Sequence, residues 1–75
     1  MLGTVLRDAR LAAQLTQEEV AFRAGLDRSY VSMLEHDKKS PTVDVLFRLA
    51  KAIGIKASQI LARVERKTAK ATRRN

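Results

Sequence analysis

Apolar residues return along this chain every third or fourth position, and no stretch alternates with period two. Aromatic residues are few and helix formers are abundant. That pattern gives each segment one apolar face at helical spacing and predicts an all-α chain. Leu2, Leu6, Ala9 and Ala13 share a face of a first helix, and Leu15 turns inward after it. Thr16 and Glu19 have the spacing of a capping box at the start of a second helix, whose Val20, Ala21 and Ala24 point inward. Gly25 suits the left-handed position that ends it.

Asp27 stands where a third helix is capped, and Val31 and Leu34 bury one side of that helix before it ends near His36. The following HDKKSP reads as a loop, because Pro41 bars a continuous helix. Thr42 caps a fourth helix with Val43, Leu46, Leu49, Ala50 and Ile53 on one stripe, and Gly54 closes it. A fifth helix from about Ala57 carries Ala57, Ile60, Leu61 and Val64 on one side. Beyond Glu65 the segment RKTAKATRRN has no second apolar face. The pattern therefore predicts a folded unit over residues 1–65 and a basic, flexible tail over 66–75.

The segment TQEEVAFRAGLDRSYVSMLE, from Thr16 to Glu35, is then two short helices joined by a tight turn. Such units often present the second helix to the DNA major groove. At about 100° per residue, Arg28, Ser29, Ser32, Met33 and His36 fall within an arc of about 140° opposite Val31 and Leu34. Tyr30 and Glu35 border that arc. A forked cation, small hydroxyls and a thioether suit base edges and phosphates, and no acid interrupts them. The same face also fits a solvated surface of a small bundle.

With 75 residues the chain has room for one domain, and so small a core favours oligomerisation. The net charge of +7 is unevenly placed: residues 1–61 hold 9 Lys/Arg against 7 Asp/Glu, and residues 62–75 hold 6 against 1. A basic end attracts any polyanion and does not by itself name one. There is no Cys, no apolar run of membrane-spanning length and no signal-peptide pattern, which together suit the cytoplasm. His36 is the only histidine and no metal-ligand spacing occurs, so no metal or cofactor is expected. No glycine-rich phosphate loop and no serine with an adjacent base suggests an enzyme. Ile60, Leu61 and Val64 exceed what a terminal helix needs to dock, and are the expected dimer interface.

The residues from Leu2 to about Leu61 resemble the Xre-like helix-turn-helix family, the Cro and phage-repressor type. The likeness rests on Arg7 and Arg10, on Thr16-Gln17-Glu18-Glu19-Val20-Ala21, and on Gly25-Leu26. It extends through Tyr30-Val31-Ser32, Leu34-Glu35, Pro41-Thr42 and the run from Leu46 to Ile55. The resemblance implies a five-helix bundle of phage-repressor type. It also implies a transcriptional regulator, bacterial or phage-encoded and nucleoid-associated, that binds a near-palindromic operator as a homodimer. Arg28, Ser29, Ser32 and Met33 would read bases, Gln17, Tyr30, Lys38 and Thr42 would hold the DNA backbone, Gln17 would also support the recognition helix, and Arg10 and Glu35 would tie helix one to helix three.

Three positions depart from the family pattern. Gln14 replaces a residue that tolerates a left-handed conformation, so either it is left-handed or helix one runs on. Asp37 replaces a glycine after helix three, and Phe22 replaces a polar surface residue. With no ligand domain expected after the motif, the reading does not include small-molecule sensing. The alternative reading is an antitoxin or adaptor module that binds a protein partner, with Phe22 and the helix-five stripe as its surface. A further alternative is a non-specific nucleic-acid binder acting through the tail.

Overall fold

A computed structural model describes residues 1–72 of the chain. Five helices follow one another: α1 Leu2–Ala12, α2 Gln17–Ala24, α3 Arg28–Glu35, α4 Val43–Ile53 and α5 Ala57–Thr72. The all-α five-helix expectation holds. The core is the set of apolar faces read from the periodicity, with Val5, Val20, Leu34, Leu49 and Ile60 almost wholly enclosed. α3 packs against α1 and α2, α4 against α2, and α5 against α1 and α4.

Each of the first four helices ends the same way. A left-handed residue follows the helix, and the next N–H reaches back five residues to a carbonyl, satisfying an otherwise orphaned acceptor. The left-handed residues are Gln14 (φ 60°), Gly25 (φ 70°), Asp37 (φ 57°) and Gly54 (φ 93°). The bonds run from Leu15 to Arg10 (3.1 Å), Leu26 to Ala21 (2.8 Å), Lys38 to Met33 (2.9 Å) and Ile55 to Ala50 (3.0 Å). Gln14 is thus left-handed, and α1 does not run on.

Both predicted threonine caps are present. The Thr16 hydroxyl accepts from Glu19 N–H at 3.0 Å while the Glu19 carboxylate accepts from Thr16 N–H at 2.8 Å. The Thr42 hydroxyl accepts from Val45 N–H at 3.1 Å. Asp27 occupies the cap position of α3 but its side chain makes no capping bond. Its contribution there is charge near the positive end of the helix.

Three expectations are corrected. Ala13 lies after α1 and is exposed rather than inward. Val43 is 70% exposed, so the α4 stripe starts at Leu46. Ile60, expected at a dimer interface, is 0% exposed and belongs to the chain's own core, while Val64 packs on that core and Leu61 is exposed. α5 continues past Glu65 to Thr72, through the segment expected to be a tail. Arg66, Lys67 and Ala69 are good helix formers and sustain the helix there by propensity. The rest of the expected flexible tail, residues 73–75, lies outside the described residues.

The first turn of α1 has no cap of its own. Asp37, from the loop after α3, supplies one: its carboxylate accepts from the Met1 ammonium at 2.6 Å and from Gly3 N–H at 2.9 Å. The Met1 ammonium, then the Gly3 N–H, hold the Asp37 carboxyl below its ordinary range. The Thr16 N–H and hydroxyl do the same for Glu19. A carboxylate depressed by folding stabilises above its unfolded pKa, and that stability is lost as pH falls through the depressed value. Denaturation midpoints should therefore fall as pH drops from about 5 toward 2. Asp37→Asn should be less stable than the parent at neutral pH and converge on it in acid. Parallel midpoints across that range would show that Asp37 does not act as the cap.

Candidate nucleic-acid interface

The orientation of α3 is fixed at its end by a buried network. Arg10 donates from Nε to Glu35 Oε2 at 2.7 Å and from Nη2 to Glu35 Oε1 at 3.0 Å. Its Nη1 donates to the Leu15 carbonyl at 2.9 Å, at the turn between α1 and α2. Gln17, the first residue of α2, donates from Nε2 to Glu35 Oε1 at 3.0 Å. Both Arg10 and Glu35 are buried, and the fork-to-fork geometry suits a guanidinium and a carboxylate. Hydrogen bonding to Glu35 raises the Arg10 pKa against the opposing effect of burial. The expected Arg10–Glu35 pair is therefore in place, and it includes Gln17.

The turn between α2 and α3 is held from the other side by Arg48 of α4. Arg48 Nε donates to the Ala24 carbonyl at 3.0 Å and Nη2 donates to the Gly25 carbonyl at 3.1 Å. A Cβ at residue 25 would lie 2.8 Å from Arg48 Nη2, so glycine serves both the left-handed φ and this approach. Nothing in the local sequence pattern singles out Arg48. Its role depends on a contact 24 residues away.

Between these two fixtures α3 presents its outer face. Arg28 and Ser29 are exposed, and Ser32 and Met33 are half-buried. His36 is exposed, with Nδ1 2.8 Å from the Ser32 carbonyl. Tyr30 is half-buried and packs against the core. Arg28 lines a shallow surface depression together with Gln17, Thr16 and Glu18, so the fold brings the leading edge of α3 beside the start of α2. The N–H groups of Gln17 and Glu18 lie in the first turn of α2, where they lack partners within the helix. Lys38 is exposed directly after the left-handed Asp37, and Thr42 is exposed at the start of α4. The Thr42 oxygen accepts from Val45, which leaves its hydroxyl hydrogen free to donate. Among the described residues no group of His, Asp and Glu could hold a metal ion, and no helix is long and apolar enough to cross a membrane.

A helix-turn-helix family model matches residues 6–60, spanning all of α2, α3 and α4. The chain belongs to the Xre-like helix-turn-helix family. A transcriptional regulator of this type from Sinorhizobium fredii, y4dJ, is 40% identical over 55 residues, covering 73% of this chain and 71% of that protein. The immunity repressor of Bacillus phage phi105 is 35% identical over 60 residues, which are 80% of this chain but only 42% of the repressor. Among solved structures, the restriction-modification controller protein C.AhdI from Aeromonas hydrophila superposes with a TM-score of 0.77 at 37% identity, covering 79% of this chain and 89% of that one. This chain thus matches a phage repressor in sequence and a controller protein in fold, and is a DNA-binding transcriptional regulator.

Proposed function

We propose that this regulator binds a near-palindromic operator as a homodimer, with α3 in the major groove. The observation that carries the reading is the outward row Arg28, Ser29, Ser32 and Met33, held by the Arg10–Glu35–Gln17 network at one end and by Arg48 at the turn. Arg28 suits a guanine edge, the serines donate or accept, and Met33 can meet a thymine methyl. Gln17, Tyr30, Lys38 and Thr42 would set register on the phosphates, adding affinity without base choice. The relatives named as an immunity repressor and a controller protein favour repressor or controller activity.

The test is binding to a dyad site selected from random DNA. Arg28→Ala and Ser32→Ala should each weaken operator binding by about 1–3 kcal/mol, with less change on scrambled DNA and a native circular dichroism spectrum. An unaltered ratio of operator to scrambled affinity in both variants would remove α3 from the reading role.

For the dimer, the exposed apolar residues define a better surface than the expected one. Val43, Phe47 and Leu61 are 70%, 60% and 46% exposed and line one open groove of about 520 Å³ between the starts of α4 and α5. Val43 and Phe47 are one turn apart on α4, so they present a single face. A second copy is the occupant this reading requires, because a palindrome is read by a two-fold pair. The groove begins one loop after α3, so self-pairing there keeps two recognition helices close. Phe47→Asp should yield a monomer by light scattering, with operator affinity reduced at least about tenfold, the equivalent of about 1.4 kcal/mol. A dimeric Phe47→Asp would move the interface, with Phe22, 87% exposed on α2, next in line.

A further inference from the structure

α5 carries a row of cations that the operator reading does not use. Arg63, Arg66 and Lys67 line one open groove of about 320 Å³ against Val5 and Asp8 of α1. All three are exposed, and none forms an ion pair among the described residues. Arg63 stands three and four positions from Arg66 and Lys67, the spacings at which like charges on a helix repel. The row is therefore unfavourable for α5 alone, and an anion laid along it would relieve the repulsion. Asp8 is the acid facing the groove, which leaves three cations against one. Glu65 falls on the far side of α5, about 200° round the helix from Arg63.

The groove also faces away from α3. α1 meets α3 through Gly3 and Arg10, whereas Val5 and Asp8 lie about 200° and 140° round α1 from Gly3. One straight duplex held on α3 does not reach that side.

We propose that the α1–α5 groove is a second, sequence-independent nucleic-acid site that grips the phosphate backbone of a separate duplex segment. The ligand class follows from the lining. Val5 is its one apolar residue and is 2% exposed, so the open apolar surface of the groove is the aliphatic stems of side chains that end in charge. Three exposed cations in one row on α5, without ion-pair partners among the described residues, match a polyphosphate. The proposal deepens the DNA-binding reading, giving the regulator the means to bridge two segments.

The experiment uses the full chain on beads carrying operator duplex or an unrelated duplex, with capture of a second, fluorescent duplex as the readout. The comparison is the triple variant Arg63→Gln, Arg66→Gln, Lys67→Gln. The parent should capture the second duplex on both kinds of bead, with capture falling steeply as salt rises. The variant should hold the operator with unchanged preference and capture at least fivefold less. Equal capture by the variant overturns the proposal. So does a variant whose affinity and salt slope fall equally on a single isolated duplex, because the row then touches the operator itself. Polyglutamate competing as well as duplex DNA at equal charge would also overturn it, in favour of an acidic protein. Operator preference is read on the same beads before the second duplex is added, so failure of the regulator reading shows separately.

Discussion

Replacing Glu35 with alanine is expected to destabilise the domain by about 3–5 kcal/mol, the range for breaking a buried ion pair by removing one partner. The Glu35 side chain is 3% exposed and that of Arg10 is 11% exposed, so water cannot replace the lost carboxylate. Arg10 would keep only its bond to the Leu15 carbonyl, and the Gln17 amide would lose its acceptor. At roughly 0.05–0.15 kcal/mol per residue, a chain of 75 residues is stable by about 4–11 kcal/mol in total, so the loss is a large fraction of the whole. At about 4–8 °C per kcal/mol, the thermal midpoint should fall by at least about 12 °C. Arg10→Met with Glu35→Leu should recover much of the loss, because removing both charges leaves no stranded ion. A double-mutant cycle with Arg10→Ala and no coupling would reject the network. The same substitution should also weaken operator binding beyond its effect on folding, because it frees Gln17 at the start of α2.

The network illustrates what the sequence could and could not convey. The bounds of α2, α3 and α4, the Thr16 and Thr42 caps and most of the core were legible because each depends on residues three or four apart. The Arg10–Glu35 pair was legible only through the family pattern, since its members are 25 residues apart and their types are common. Support of α3 by Gln17 was likewise implied by the family pattern, whereas Asp37 capping α1 and Arg48 holding the turn were not legible at all. Each is a polar side chain reaching a distant backbone or carboxylate, and no local periodicity marks it.

The fifth helix shows a different limit. Ile60 and Leu61 are adjacent apolar residues about 100° apart, and only the packing of α1 and α4 decides which is buried. Ile60 went to the core, and the exposed apolar surface formed across two helices from Val43, Phe47 and Leu61. A surface assembled from two elements cannot be read from the stripe of one.

Gly3→Ala is the substitution for which local and tertiary physics give opposite signs. Within a helix, glycine is less favourable than alanine by roughly 0.5–1 kcal/mol, so propensity alone makes the change stabilising. In the fold, a Cβ at residue 3 would lie 2.4 Å from the Glu35 carbonyl oxygen and 2.6 Å from that of Leu34. Both are backbone atoms of the last turn of α3, so no side-chain rotation gives way. α1 must instead lift from α3 by about 1 Å to restore ordinary contact. That movement opens the packing of Leu6 and Leu34 and pulls on the Arg10–Glu35 bonds, which tolerate little lengthening. Overpacking of this kind costs about 1–3 kcal/mol, which exceeds the propensity gain. Gly3→Val, with a larger branched side chain at the same contact, should cost more than Gly3→Ala. The measurement is urea unfolding of the parent and both variants, with operator affinity read alongside. A Gly3→Ala protein as stable as the parent or more so would mean that α1 and α3 do not approach this closely, and that glycine there serves no packing role.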